Sequence, residues 1–513
     1  MKKLTILICI IFYSAFTKIY AQFTSAVRLD SLFNQLDKNQ DFNGSILIAE
    51  KGKPVYQKSF GYADFENKVP NTIDSHFSLA SISKTFTSTA ILQLKEKGKL
   101  KIEDSFAKYF PEFPFPSITI KHLLSHTSGL PDLELYESIV NQNRDTIITN
   151  KVIIPTLKTW GKKLYFQPGD KWGYANINYA LLGLLVEKVS KMSFETYLKK
   201  NIFLPANMTN TYLKPTFDSQ NDKNRVVSHR MLTWYADTFK SVDSIKTGSI
   251  RYCTYNCGNT YGDNNIITTT EEMLKYDKAL YEGKLLSQAS LDEAFTPIKL
   301  NDGTTFYETH GGLTLFGKSS YGLGWEIYEH PTLGKAVGHS GRLFGLLTHF
   351  YRNITKNQTI IIYQNTELEG NQFYEKTKAA LDILNGQQPK SALSKKSIAR
   401  KYGNAIMKNG IDYATAIFND LKTDTAHYYI SENEFNWLGY DLLFQGKQKQ
   451  YSLETFKLNT LLFPNSFNVY DSYAESLHAN GKREEAIIMY QKSITMNPQN
   501  EGGIRMLKKI LEK

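Results

Sequence analysis

Cysteine is almost missing from this chain, with three among 513 residues, at positions 9, 253 and 257. A fold stapled by a disulfide framework is therefore excluded. Cys253 and Cys257 stand close together in RYCTYNCGN, and both a local disulfide and two free thiols fit that spacing. No cluster of histidines accompanies them, so no metal site is expected. Blocks of one charge are missing too. The formal charge is +11, but lysines and acids are interspersed throughout, which describes a solvated surface and gives no nucleic-acid partner. Beyond the first residues no stretch is long and apolar enough to span a membrane.

The N-terminus reads MKKLTILICIIFYSAFTKIYAQF. Lys2 and Lys3 precede a short apolar run from Leu4 to Phe16, and Ala21 precedes Gln22. This is the grammar of a secretory signal peptide over residues 1–21, placing the mature chain in a periplasm or outside the cell; the rival reading is an uncleaved anchor. Ile8 before Cys9 is too bulky for a lipid-modification site. Removing Lys2, Lys3 and Lys18 with the leader takes the charge from +11 to +8.

The remaining length suits two or three domains. Apolar residues make up 41% and charged residues 22%, enough for a sizeable core. Residues 26–38 have helical apolar spacing. GSILIAEKGKPVYQKSFGYAD reads as a hairpin turning at Lys51-Gly52-Lys53. Helices are expected over 82–98 and 178–200, with mostly helix and loop from 100 to 300. Strand signals return in KAVGHSG, GLLTHFYRN and QTIIIYQN, and a helix over 371–385 closes the unit. Strands at both chain ends imply one sheet, with the helical middle as a second lobe and a cleft between them. The expected first domain is 22–388.

After that, strand signals stop. Residues 389–428 read as a helical connector and 429–513 as repeats. Pro464 matches Pro498, Phe456 matches Tyr490, and Gly446-Lys447 matches Gly481-Lys482 with one residue of slack. The period, near 34, resembles the tetratricopeptide helix–turn–helix unit, a surface that offers a protein partner a docking site.

Three short elements carry chemistry. In SLASISKTFTSTAILQL, Ser81 and Lys84 share one face of a helix start, one turn apart. There the amine can depress the hydroxyl pKa or take its proton, and helix-start N–H groups favour negative charge on the oxygen. Ser105 and Lys108 have the same spacing but open no long helix. In FQPGDKWGYANINYALL, Tyr174 offers a proton-shuttling phenol and Asn176 an amide that can hold a lysine or a substrate carbonyl. Tyr363-Gln364-Asn365 is a decoy inside a core strand. In KAVGHSGRLFG, His339 could bind a carboxylate or assist proton transfer. Gly341 permits close backbone approach, and the N–H of Arg342 could join that of Ser81 in an oxyanion hole. His310-Gly311-Gly312 repeats the pattern in a loop. A Ser–His pair from His126 and Ser128 in LLSHTSGL is disfavoured, because that segment opens no helix of its own.

Taken in order, S-I-S-K, Y-A-N and H-S-G resemble the class C β-lactamase-like and penicillin-binding serine hydrolases, a family that includes D-alanyl-D-alanine carboxypeptidases and esterases. IKHLLSHTSGLPD, IFLPANMTNT, TYGDNNIITTTEEMLKYDKAL and YGLGW extend the likeness across about residues 26–386. The resemblance implies an α/β fold of the β-lactamase/transpeptidase type, an antiparallel sheet flanked by helices plus a helical lobe, here followed by an all-α region. It implies Ser81 as acyl-accepting nucleophile, Lys84 as its partner and Tyr174 as general base. Asn176, His339, Ser340, Gly341 and Arg342 would bind substrate or its oxyanion, with no metal or organic cofactor. His339 stands where many relatives carry lysine, and Asn265 where they usually carry glycine. Trp325, Tyr255, Arg342 and Phe344 are candidates for lining the pocket. The implied substrate is a β-lactam, a D-amino peptide or an ester. The alternatives are an interaction protein working through the repeats and a penicillin sensor that deacylates slowly.

Overall fold

The computed structural model describes residues 25–214, 222–309, 312–367, 372–389, 393 and 395–512. The leader read over 1–21 and the His310-Gly311 pair lie outside the described residues.

A run such as GSILIAE, apolar at successive positions, needs cover on both sheet faces. It forms β1 (Gly44–Glu50), joined to β2 (Lys53–Phe60). Lys51 at φ 52° and Gly52 at φ 71° make the turn, the doubly positive backbone of a type I′ hairpin. The late strands are β3 (Lys318–Tyr321), β4 (Glu326–His330), β5 (Gly334–Leu343), β6 (Leu346–Asn353) and β7 (Gln358–Gln364). All pair antiparallel in one seven-stranded sheet ordered β3-β4-β5-β6-β7-β1-β2. The two chain ends meet where Gly44 pairs with Gln364.

Four helices matter for the site: α1 (25–38), α2 (Ser83–Glu96), α3 (Asn176–Ser190) and α4 (Gln372–Leu384). Ile46, Ile48, Ile360 and Ile362 face one side of the sheet and pack with Leu29, Phe33 and Leu36 of α1 and Ala380 and Leu381 of α4. Leu47, Ala49, Ile361 and Tyr363 face the other, in one core with Phe86 and Ile91 of α2 and Leu181 and Leu185 of α3. This period-2 partition is the antiparallel sheet flanked by helices, with a helical lobe, that the sequence leads one to expect.

The helix expected over 178–200 is broken. α3 stops at Ser190, Lys191 turns left-handed at φ 61°, and a new helix, Phe194–Leu198, starts from a Ser193 N-cap whose side chain accepts from Thr196 N–H. Apolar periodicity runs through this break, so only the cap chemistry marks it. Asn265 does adopt the left-handed backbone, at φ 76°, and its amide donates to the carbonyls of Gly258 and Thr260 at 2.8 and 2.7 Å.

The chain divides into two compact units, one of 1–230 and 241–393, the other of 231–240 and 394–513. The second is helical. Ile398, Tyr402 and Phe418, from the stretch read as a connector, share one apolar cluster with Phe435, Leu438 and Leu442 of the repeat stretch. Trp234 belongs to the same cluster, stacked on Trp437 with ring centroids 5.4 Å apart. Two helical hairpins follow, Glu432–Tyr440 with Lys449–Leu462 and Phe467–Ala479 with Arg483–Met496. Phe456 and Tyr490, matched in the repeat alignment, are both buried.

Candidate active site

Ser81 lies in a short 3₁₀ turn, Ala80–Ile82, that runs into α2. Ala80 is left-handed at φ 48°, a sparsely allowed conformation for a residue with a side chain. The neighbouring strand holds the corner in place: Thr348 Oγ1 of β6 donates to the Leu79 carbonyl at 2.9 Å. A Cβ on Gly341 of β5 would stand 2.5 Å from that carbonyl and 3.1 Å from the Ala80 Cβ. The close approach that Gly341 permits in the structure is to the turn carrying Ser81, whereas the sequence reading set a ligand against it. Both elements border a groove of about 600 Å³ lined by Ser81, Tyr174, Asn176, His339, Ser340 and Arg342, among others.

Lys84 follows one helical turn after Ser81 and is fully buried. Its ammonium donates to Ser81 Oγ at 3.0 Å, to Asn176 Oδ1 at 2.8 Å and to the Asp263 carbonyl at 2.9 Å. Burial pushes its pKa down to about 8, against the opposing pull of the Asp263, Asp132 and Glu326 carboxylates. The Tyr174 hydroxyl donates to Ser81 Oγ at 2.8 Å, while its side chain stays 38% exposed to the groove. Loss of hydration around the phenol raises its pKa well above the usual value, only partly offset by the Ser81 hydrogen bond. Serine, lysine and tyrosine thus converge on one oxygen. The lysine is the group poised to lose a proton near neutrality, and the phenol keeps its own.

The third element is placed differently. His339 Nδ1 lies 2.6 Å from the Ser340 carbonyl. A carbonyl only accepts, so Nδ1 carries the proton. Burial lowers the ring's pKa, with Glu326 opposing, so the ring is neutral. Nε2 then accepts from the Tyr321 hydroxyl at 2.9 Å. Ser340 is held by Glu326, which accepts from its N–H at 3.0 Å and from its hydroxyl at 2.6 Å. His339, read from the sequence as a donor that could bind a carboxylate or assist proton transfer, thus has both ring nitrogens engaged within the protein. Arg342 sends two donors to Glu367 Oε1, at 2.9 and 2.6 Å.

Sequence reasoning missed three carboxylates. Asp132 accepts from Asn176 N–H at 2.7 Å and from its amide nitrogen at 3.0 Å, which turns the amide oxygen toward Lys84. Burial raises its pKa to about 6. Asp263 and Glu326 are buried around Lys84. Each lies in or beside a motif quoted for the resemblance, Asp132 closing IKHLLSHTSGLPD and Glu326 following YGLGW, but nothing local in those motifs signals a role.

Of the lining candidates, Arg342 and Phe344 border the groove. Trp325 is core, packed on Phe295 at 5.1 Å, and Tyr255 points outward over Arg251. Cys253 and Cys257 are free thiols on the groove wall. Ser105 caps a short 3₁₀ turn, Phe106–Lys108, and Lys108 pairs with Asp104. Tyr363 and Gln364 are buried in β7 and Asn365 directly after it. Among the described residues no group of three or more His, Cys, Asp or Glu could hold a metal ion, and no helix is long and apolar enough to cross a membrane.

Comparison with known proteins gives the family and the fold. The family described as Beta-lactamase matches residues 29–385. Penicillin-binding protein 4* of Bacillus subtilis (strain 168) is 34% identical over 481 residues, covering 90% of this chain and 98% of that protein. That alignment runs past residue 385 into the helical unit. The octameric penicillin-binding protein homologue from Pyrococcus abyssi superposes with a TM-score of 0.57 at 26% identity, over 71% of this chain and 78% of that one. D-amino acid amidase from Ochrobactrum anthropi SV3 shares the fold at a TM-score of 0.56 and 21% identity, over 70% and 99% of the two chains.

Proposed function

The chain belongs to the beta-lactamase family and is a serine hydrolase, and from that premise we propose that Ser81 is its nucleophile, acylated in turn by a β-lactam, a D-amino peptide or a small ester. The observation that carries this reading is the convergence of Lys84 Nζ and Tyr174 Oη on Ser81 Oγ, at 3.0 and 2.8 Å, beside an open groove. Neutral Lys84 takes the Ser81 proton as Oγ attacks the carbonyl carbon. The resemblance gives the base role to Tyr174, but a phenol that keeps its proton serves better as a donor, handing that proton to the leaving nitrogen or oxygen. The N–H groups of Ser81 and Arg342 receive the oxyanion, a reading supported by the close approach of β5 to the Ser81 turn. Water then enters and gives a proton to the same Lys84–Tyr174 pair as its oxygen adds to the acyl carbon; the pair returns that proton to Ser81 Oγ as the Oγ–acyl bond breaks, which releases the acid and restores the free serine.

Export follows from the leader-like start, and the matched helical hairpins support a tetratricopeptide-like accessory unit that docks the enzyme on a protein partner. The test is covalent. A fluorophosphonate or a penicillin probe adds one adduct to the intact mass of the wild type and none to Ser81→Ala. A wild type left unmodified by either probe defeats the proposal. A panel of ester, β-lactam, D-Ala-D-Ala peptide and D-amino amide substrates then identifies the class. A burst without turnover assigns the sensor reading instead.

A further inference from the structure

The segment His126–Asp132 was set aside above as a nucleophilic pair, yet its contacts converge on the Tyr174-Ala175-Asn176 element. The carbonyls of His126, Thr127 and Gly129 accept from the N–H groups of Gly173, Gly169 and Tyr165, each at 2.8 Å. Gly129 is left-handed at φ 73°, and a Cβ there would stand 2.1 Å from the Phe166 carbonyl, so the two segments run in contact. His126 itself is left-handed at φ 58° and fully buried. Its Nδ1 accepts from Ala175 N–H at 3.3 Å and lies 3.1 Å from the Asn178 amide nitrogen. Asn178 Oδ1 is occupied by the Ser128 hydroxyl at 2.7 Å. Its nitrogen therefore faces His126, and the His126 proton sits on Nε2. The imidazole lies against the Tyr174 ring with centroids 4.3 Å apart and planes inclined by 31°. At the far end Asp132 forks onto both nitrogens of Asn176, whose oxygen holds Lys84.

We propose that this segment is a positioning rail for proton transfer, with His126 fixing the phenol of Tyr174 and Asp132 fixing the amide of Asn176 that holds Lys84 while adding its negative charge to those of Asp263 and Glu326 around that ammonium. His126 and Asp132 act through their neighbours, Tyr174 and Asn176, rather than on Ser81 itself. The inference rests on the catalytic reading of Ser81, Lys84 and Tyr174. The division of labour follows from the contacts. A ring stack and one accepted N–H constrain where a phenol points but carry no charge. A carboxylate fork orients an amide dipole and adds a negative charge beside a buried ammonium. The other groups facing Lys84 are the carboxylates of Asp263 and Glu326, the Tyr174 and Tyr179 rings, and the neutral imidazoles of His126 and His339. Asp132 is the one among these that also bonds the side chain holding Lys84.

The test is Asp132→Asn in the full chain, with kcat and KM measured on a chromogenic ester from pH 5.5 to 9.5 and active sites counted by fluorophosphonate adduct. Substitution puts a donor where Asn176 needs an acceptor, so kcat falls about 100-fold, within the range for a disturbed acid–base group, while KM stays within threefold. Losing a nearby negative charge disfavours the ammonium, so the limb on which the rate rises with pH moves to lower pH. A positioning role predicts both effects per titrated site. Wild-type kcat, or a reduced kcat with an unmoved limb, overturns the proposal. His126→Asn, which tolerates the left-handed backbone and keeps an acceptor but loses the ring, lowers kcat with no movement of the limb; a shifted limb there overturns the assignment of charge control to Asp132. Wild type that forms no adduct defeats the catalytic reading itself, so the two failures are distinguishable.

Discussion

The groove has two polar walls, built from similar residue types and put to different use. On the helical wall, Lys84 and Tyr174 both donate to Ser81 Oγ, and burial sets the lysine pKa at about 8. On the strand wall, His339 is closed off by the Ser340 carbonyl and the Tyr321 hydroxyl, and Glu326 is saturated by the N–H and hydroxyl of Ser340 and by Tyr328. Buried ionisable groups occur on both walls, so burial alone does not mark the catalytic one. The difference is whether a proton position is left facing the reacting oxygen. The helical wall keeps one, whereas the strand wall uses its polar groups on each other and, in the proposed mechanism, serves as a frame for backbone N–H donors.

Removing the amine from the helical wall sharpens the contrast most. Lys84→Met keeps the length of the side chain and deletes its proton chemistry. It lowers kcat about 1,000-fold on any ester the wild type hydrolyses, the scale of a lost acid–base group, in stopped-flow or steady-state assays. In the wild type the rate climbs as pH rises through about 8, because Lys84 must be neutral to accept a proton and burial has lowered its pKa to that value. A flat profile between pH 7 and 9 would move the base elsewhere.

The next effect tests the strand wall as a frame. A methyl group on Gly341 would stand 2.2 Å from Thr348 Oγ1 and 2.5 Å from the Leu79 carbonyl. The first neighbour can rotate; the second is backbone of the Ser81 turn. Gly341→Ala therefore displaces that turn. It costs about 1–3 kcal/mol in overpacking, read as a lower Tm, and lowers kcat/KM about 100-fold through the oxyanion donors. An active variant with an unchanged Tm would mean that β5 is free to retreat from the turn.

The sequence made the short-range contacts of both walls readable and left the long-range ones unread, for a physical reason. Ser81 and Lys84 are three residues apart at a helix start, where spacing alone brings side chains together. Tyr174 and Asn176 became readable only in company with them. Asp132 meets Asn176 across 44 positions, and Glu326 meets Ser340 across 14; such pairings depend on how elements pack, and no local pattern records them. The same division holds for the fold. Lys51-Gly52-Lys53 announced its hairpin, because glycine supplies the positive φ that a tight turn between two strands calls for. Nothing near Trp234 announced that 231–240 belongs with the C-terminal helices, because that membership depends on a tertiary stack with Trp437.

The smallest expected effect is the most discriminating. If His339 acts as the cation that reads a substrate carboxylate, His339→Gln should raise KM steeply for β-lactams and D-Ala-D-Ala peptides and leave neutral esters alone. The hydrogen bonds argue otherwise. The proton on Nδ1 is spent on the Ser340 carbonyl and the lone pair on Nε2 on Tyr321. Burial lowers the ring's pKa, so it stays neutral through the range in which Lys84 titrates. Glutamine can both donate and accept, so much of this internal bonding survives the exchange. His339→Gln is therefore expected to lower kcat/KM by less than about tenfold, equally for charged and neutral substrates, as befits a partly kept hydrogen bond. The Lys84 limb should stay where it is. Paired assays on a carboxylate-bearing substrate and its methyl ester measure this directly: a penalty confined to the carboxylate would return the recognition role to His339 and erase the distinction between the two walls.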